Sequence, residues 1–117
     1  MRMPSVGITC YPTQGGSGVV ATELGVNLAR HGCAVHFISS ILPFRLRQYS
    51  ENIFYHPVDM PQYPVFQNSP YTLSLATVMS ETAVRRSLDL LHVHYAIPHA
   101  ASAYLARQMV GPDRLKV

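Results

Sequence analysis

The sequence has few charged residues and only two cysteines. Asp, Glu, Lys and Arg make up 13% of its 117 residues, whereas about 25% is usual for a soluble domain. Hydrophobic residues make up 48%, which excludes a disordered, collagenous or coiled-coil protein. So much apolar surface on a short chain predicts that another part of the same protein, or a second copy of it, covers some of that surface.

The sequence lacks the residues that several classes of function need. The basic residues are scattered, with no run that could follow a phosphate backbone, so we expect no nucleic-acid partner. No apolar stretch approaches the roughly 20 residues that span a bilayer, and we expect no integral membrane segment. Cys10 and Cys33 form no C-x-x-C motif, which predicts two reduced thiols in a cytoplasmic protein. The sequence also shows no pattern of a Ser/His/Asp triad, a carboxylate pair or a Walker motif.

Apolar strand patterns alternate with helical patterns along the chain. The predicted elements are strand 5–11, helix 19–31, strands 34–39 and 52–58, helix 71–87, strand 88–94, helix 98–109 and a strand that begins at residue 114. Helix-length connections indicate an α/β fold, a Rossmann-like, doubly wound parallel sheet with the strand order 3-2-1-4-5. Gly25, inside the first helix, predicts close packing of that helix on the sheet.

A glycine-rich segment, residues 13–18, joins the first strand to the first helix. Such a loop can direct backbone N–H groups and the positive end of the helix dipole at an anion. We favour anion binding over a tight turn without a ligand. Gly16, Gly18 and Ala21 fit the G-x-G-x-x-A form of the dinucleotide fingerprint, but no acidic residue follows the second strand at Ser39 and Ser40. A nicotinamide-dependent oxidoreductase is therefore an alternative with less support.

A histidine-rich segment, residues 92–99, follows the fourth strand. His92 and His94 alternate along a strand and should lie on one side of the sheet. An H-x-H pair can bind a metal, but no third ligand has a recognisable spacing, so hydrogen-bonded histidines without a metal are favoured. Ligands bind where the C-terminal ends of the first and fourth strands meet. We therefore expect the glycine-rich loop, His94 and Tyr95 to line one site, and Arg45 is a further candidate to line it.

Three segments of the sequence resemble one family. Residues 7–20, 42–46 and 91–100 are similar to the corresponding segments of family 4 retaining glycosyltransferases, and the similarity extends over essentially the whole chain. It is closest to the branch of the family that acts in bacillithiol biosynthesis. The resemblance implies a GT-B enzyme with two Rossmann-like domains. It also implies transfer of N-acetylglucosamine from UDP-N-acetylglucosamine to L-malate with retention at the anomeric carbon.

The resemblance also implies roles for individual residues. Gly15 and Gly16 would face the donor pyrophosphate, whereas Ser17 and Tyr95 would contact the acceptor. The family uses no metal, so we expect no cofactor besides the substrate UDP-N-acetylglucosamine. Two alternatives stay open, namely a family 4 enzyme with a different acceptor and a non-catalytic half-domain that binds a partner.

The end of the sequence falls within the last predicted strand. We therefore expect residues 1–117 to be an incomplete N-terminal, acceptor-side domain that is inactive by itself. In that interpretation the C-terminal nucleotide-sugar domain and the catalytic residues lie beyond Val117. An unfinished sheet edge also favours association, so we expect a homo-oligomer.

Overall fold

The computed structural model describes residues 2–11, 16–42, 51–59 and 71–117. In chain order, its elements are β1 (Ser5–Thr9), α1 (Ser17–Arg30), β2 (Ala34–Ser39), β3 (Ile53–Pro57), α2 (Tyr71–Arg85), β4 (Leu90–Val93), a π-helical segment (Ala96–Ala100) and α3 (Ala101–Val110). The predicted order of strands and helices is confirmed. β2 has the predicted bounds, and the other elements differ by a few residues at their ends.

The four described strands form one parallel sheet with the order β3-β2-β1-β4. β1 lies inside the sheet, where Ile8 is in register with Phe37 of β2 and with His92 of β4. On the outer side of β4, Leu90 and Lys116 form an isolated parallel bridge. The predicted fifth strand is therefore beside β4, as the order 3-2-1-4-5 requires, and among the described residues it pairs through this one bridge.

Helices cover both faces of the sheet, because successive side chains of a strand point to opposite faces. One apolar cluster joins β1 and β2 to α1 and contains Val6, Ile8, Ala21, Ala29, Val35 and Phe37. A second cluster joins the sheet to α2 and α3 and contains Ile38, Leu75, Met79, Leu91, Ala103 and Leu115. The predicted α/β, Rossmann-like, doubly wound arrangement is thus confirmed.

The helix predicted over 98–109 is interrupted near its start. Residues Ala96–Ala100 form the π-helical segment, and Ile97 within it has an extended, non-helical backbone (φ −118°, ψ 125°). Pro98, the predicted first residue of the helix, follows this kink directly, and the regular α-helix covers Ala101–Val110. The helix was predicted at this place, whereas its π-helical first turn was not.

Both cysteine side chains lie in the interior of the fold. Cys10 and Cys33 are both free thiols, as predicted, and both are buried. Burial raises the pKa of the Cys10 thiol to about 11, so this side chain is a packed, protonated thiol rather than a reactive one.

In the described ranges, no helix is both long and apolar enough to cross a membrane.

Helix α1 approaches the sheet closely at Gly25. A Cβ atom built at this position would lie 2.4 Å from Cζ of Phe37 and 3.3 Å from Cδ1 of Ile8. Both neighbours are fully buried, so neither side chain can move away into solvent. The close packing predicted for Gly25 is confirmed.

A histidine pair lies on the α2 side of the sheet edge, on strands β2 and β3. Nδ1 of His36 lies 2.9 Å from Nε2 of His56, and the His36 ring stacks on Phe54 with 4.8 Å between ring centroids. Burial, with smaller contributions from His56 and Arg86, lowers the pKa of His36 to about 4. Burial and Arg86 also lower the pKa of His56. Both rings are therefore neutral at pH 7.

We expect Gly25→Ala to destabilise the fold. Overpacking of a dense core typically costs about 1–3 kcal/mol, which exceeds the gain of up to about 1 kcal/mol from the higher helix propensity of alanine. Urea unfolding followed by circular dichroism measures the change. Val20→Ala, at an exposed position of the same helix, is the control and should shift the unfolding free energy by less than about 0.5 kcal/mol. A Gly25→Ala protein as stable as the wild type would contradict the packing described.

We also expect the unfolding free energy to fall as the pH is lowered from 6.5 towards about 4. In this range the unfolded chain protonates His36 while the folded protein does not, so protons stabilise the unfolded state. His36→Gln, which has no titrating ring, should show a shallower fall. Denaturant titrations at pH 7, 5.5 and 4.5 provide the measurement, and an identical slope in both proteins would exclude His36 as the source.

Candidate functional site

Strands β1 and β4 end side by side. Thr9 and Val93, the last residues of the two strands, are in register, and the His94 N–H donates to the Thr9 carbonyl oxygen at 3.1 Å. The chain continues from β1 towards α1, and from β4 through Tyr95 into the π-helical segment. The parallel sheet therefore places the start of α1 and the histidine-rich segment at the same edge, where the doubly wound topology puts ligand sites.

Gly16 precedes the first turn of α1. It is the N-cap residue, with φ 58° and ψ −131°, and no side chain of the described residues caps the helix there. A Cβ atom at Gly16 would meet none of the described residues within 4 Å, so the backbone is open towards that part of the structure. The first N–H groups of a helix have no partners within it, and no acidic residue lies in the first turn. This geometry suits an anion, whereas Gly15 lies outside the described residues.

Two buried hydroxyl groups near this edge have no hydrogen-bond partner among the described residues. Among the described residues, neither Oγ of Ser17 nor Oγ1 of Thr9 has a hydrogen-bond partner. A buried polar group left unpaired costs about 1–3 kcal/mol, so such groups mark places where a further partner can be bound. Sequence analysis selected Ser17 but missed Thr9, and only the position of Thr9 at a strand's C-terminal end could have indicated it.

Tyr95 projects from the same edge, with 53% of its surface exposed. Its backbone lies in the left-handed region, with φ 76°. The Tyr95 ring contacts that of Tyr11, with centroids 5.2 Å apart. Tyr11 follows β1, and its part in the site was not predicted. The contact joins the segment after β1 to the segment after β4.

His94 lies beside His92, as the alternation predicted. The two Nε2 atoms are 3.3 Å apart, and the rings meet edge to face. Burial, followed by electrostatic interactions with His92 and His99, lowers the pKa of His94. The His94 ring is therefore neutral near pH 7 where it lines the candidate site. Within the ranges that the structure describes, no group of three or more His, Cys, Asp or Glu side chains could hold a metal ion.

His99 is fully buried beneath this edge. Its Nδ1 lies 2.7 Å from the carbonyl oxygen of His94, and its Nε2 lies 3.3 Å from the hydroxyl of Tyr71. The ring also packs on Tyr11, with 4.6 Å between centroids. His99 belongs to the histidine-rich segment found in the sequence, but no signal in the sequence connected it with Tyr71, which lies on another helix.

The described candidates thus fall into two groups at one edge. Gly16 and Ser17 begin α1, whereas His94 and Tyr95 follow β4. Tyr11 links the two segments through its contact with Tyr95. Arg45 lies outside the described residues, so its place in the site stays a prediction.

The comparisons with known proteins agree with this architecture. The family model described as Glycosyltransferase Family 4 matches residues 14–115. Over 112 residues the chain is 60% identical to the N-acetyl-alpha-D-glucosaminyl L-malate synthase of Bacillus anthracis. The match covers 96% of this chain and 29% of that relative, so the chain spans less than a third of the relative's length. The family match includes β2, β3, β4 and all three helices of the described fold. This chain therefore belongs to glycosyltransferase family 4.

Proposed function

We propose that the protein containing this chain transfers N-acetylglucosamine from UDP-N-acetylglucosamine to the hydroxyl of L-malate, with retention at the anomeric carbon. The observation that carries the proposal is the 60% identity, over 96% of the chain, to an enzyme whose name states this product. In the proposal, the described fold belongs to the N-terminal, acceptor-side domain of a GT-B enzyme. The nucleotide-sugar domain and the catalytic residues belong to the part of such an enzyme that this chain does not cover.

We propose that the donor pyrophosphate binds at the start of α1. Transfer leaves UDP with additional negative charge on its diphosphate, and that charge must be stabilised as it forms. Backbone N–H groups at a helix start, together with the helix dipole, can supply this stabilisation without reorganisation. The open backbone at Gly16 allows a phosphate to approach. We assign this role to Gly16 and to its neighbour Gly15, with backbone donors rather than a metal offsetting the charge.

We place the acceptor at the same edge of the sheet, at Ser17 and Tyr95. Malate carries two carboxylates, which bind well to hydroxyl and cationic donors. The Ser17 hydroxyl has no partner among the described residues, and a carboxylate oxygen would provide one. Tyr95 follows β4, the strand next to β1 in the sheet, and its side chain is exposed at the same edge. We assign acceptor binding to Ser17 and Tyr95, with neutral His94 lining the site and Arg45 as the candidate cation.

The remaining expectations about the protein's setting belong to the same proposal. A cytoplasmic location is supported by the two buried free thiols. A homo-oligomer and the lack of a nucleic-acid partner stay predictions from the sequence. The family match weighs against a nicotinamide-dependent oxidoreductase. Whether the acceptor is L-malate or another family 4 acceptor is tested by the assay of malate-dependent UDP release.

We expect the full-length protein to release UDP from UDP-N-acetylglucosamine only when L-malate is present. A coupled UDP assay measures the rate, and mass spectrometry of the product detects the glycosylated malate. Succinate is the control because it keeps both carboxylates but lacks the hydroxyl that accepts the sugar. Absence of malate-dependent release, with transfer to another hydroxyl compound in an acceptor screen, would contradict the proposed acceptor.

We expect Tyr95→Phe to raise the KM for malate by at least about tenfold, because a hydrogen bond to a charged group is worth about 1.5–3 kcal/mol. The KM for the nucleotide sugar should stay unchanged. Tyr104→Phe is the matched control, since Tyr104 is 59% exposed on α3 and should leave both constants unchanged. Equal effects of the two substitutions would remove Tyr95 from the acceptor site.

A further inference from the structure

We propose that His99 is a positioning residue that fixes Tyr95 in the orientation needed to bind the acceptor. This inference rests on the proposed function, because it assumes that the acceptor binds at Tyr95. It assigns a role to a fully buried histidine that the proposed function leaves unused. Four features support it, namely the placement of the His99 protons, the conformation of Tyr95, the packing of three rings and the link to α2.

The hydrogen bonds of His99 determine which ring nitrogen carries the proton. A carbonyl oxygen can only accept, so the 2.7 Å approach of Nδ1 to the His94 carbonyl places a hydrogen on Nδ1. Nε2 of the neutral ring then has a lone pair, which accepts the O–H of Tyr71 at 3.3 Å. Burial lowers the pKa of His99, although the hydrogen bond to His94 acts in the opposite direction. The ring is therefore neutral near pH 7 and oriented from both sides.

The backbone of Tyr95 needs such support. A residue other than glycine in the left-handed region costs about 1–3 kcal/mol and persists where its surroundings hold it, and Tyr95 has φ 76°. His99 holds the carbonyl immediately before Tyr95 through its Nδ1–H. The N–H of Ala100 donates to the carbonyl of Tyr95 itself at 3.0 Å. Both peptide groups that flank the Tyr95 side chain are thus fixed, one of them by His99.

His99 also supports the side chain of Tyr95 directly. The rings of Tyr11, Tyr95 and His99, here called the ring cluster, are in mutual contact. Their centroids are 5.2 Å apart for Tyr11 and Tyr95, 4.6 Å for Tyr11 and His99, and 6.3 Å for Tyr95 and His99. His99 is the fully buried member, whereas Tyr11 and Tyr95 are 39% and 53% exposed. The ring cluster therefore connects the core to the phenol at the surface.

Tyr71 connects this arrangement to α2, of which it is the first residue. Burial, followed by the influence of Tyr11 and Cys10, raises the pKa of Tyr71, so its hydroxyl stays protonated and can donate to His99. Close by, the Ser102 hydroxyl of α3 donates to the Thr72 carbonyl at 2.8 Å. The start of α2 is thus held against α3, and this fixes the group that contacts Nε2 of His99.

The test uses the full-length protein with His99→Asn and, separately, Tyr71→Phe. The asparagine amide can still donate near the Nδ1 position, but it lacks the ring and the acceptor for Tyr71. Misplacement of a binding group by about 1 Å can cost up to about a hundredfold. We expect the KM for malate to rise about ten- to a hundredfold in His99→Asn and less in Tyr71→Phe. The KM for the nucleotide sugar and the kcat at saturating malate should stay unchanged.

His31→Asn is the matched control, because His31 is exposed at the end of α1 and its replacement should change neither KM. A second readout does not depend on activity. With 3-fluorotyrosine at position 95, a single ¹⁹F resonance is expected in the wild type, and a broadened or multiple resonance is expected in His99→Asn.

The outcomes separate this inference from the proposed function. A wild-type protein without malate-dependent UDP release contradicts the proposed function, and the ¹⁹F spectra then decide whether His99 orders Tyr95. With an active wild type, an unchanged KM for malate in His99→Asn overturns the inference, and so do equal rises in the two KM values. If His99→Asn does not fold, Tyr71→Phe decides by the same criterion, because it removes one oxygen and keeps the ring.

Discussion

The parallel pairing of β1 with β4 is the constraint on which the candidate site depends. Parallel strands end at the same edge, and the register of Thr9 with Val93 brings the two ends level. Residues on either side of this pairing are far apart in the sequence, yet α1 and the segment after β4 start from neighbouring points. Helices cover both faces of the sheet, so a slip of one residue would turn every side chain of a strand to the other face and disrupt both apolar clusters. The same burial that stabilises the fold therefore fixes the site.

Two histidine rings at this edge are neutral, which agrees with the low charge of the sequence. Burial lowers the pKa values of His94 and His99, so neither ring carries a charge near pH 7. Among the described residues, the candidate donors are the backbone N–H groups at the start of α1 and the hydroxyls of Ser17 and Tyr95. Such donors bind an anion through dipoles whose orientation the fold has already set. For this reason the groups that orient Tyr95 matter as much as Tyr95 itself.

The sheet order was predicted from the sequence, and with it the edge where the first and fourth strands end together, because alternation and crossover rules act through the backbone. It also predicted the close packing of Gly25 and the proximity of His92 and His94. It could not predict the ring cluster, since the left-handed backbone of Tyr95 depends on hydrogen bonds made by His99 and Ala100. Contacts between side chains of separate elements, and hydroxyls without a partner among the described residues, follow from packing that the sequence pattern does not contain.

A crystal structure of the full-length protein with L-malate and UDP would show where both molecules bind. We expect malate at the edge where β1 and β4 end, with a carboxylate within hydrogen-bond distance of the Ser17 or Tyr95 hydroxyl. We expect the UDP diphosphate in front of the first turn of α1, next to Gly16. Malate bound away from this edge, with no contact to Ser17 or Tyr95, would exclude the proposed acceptor site.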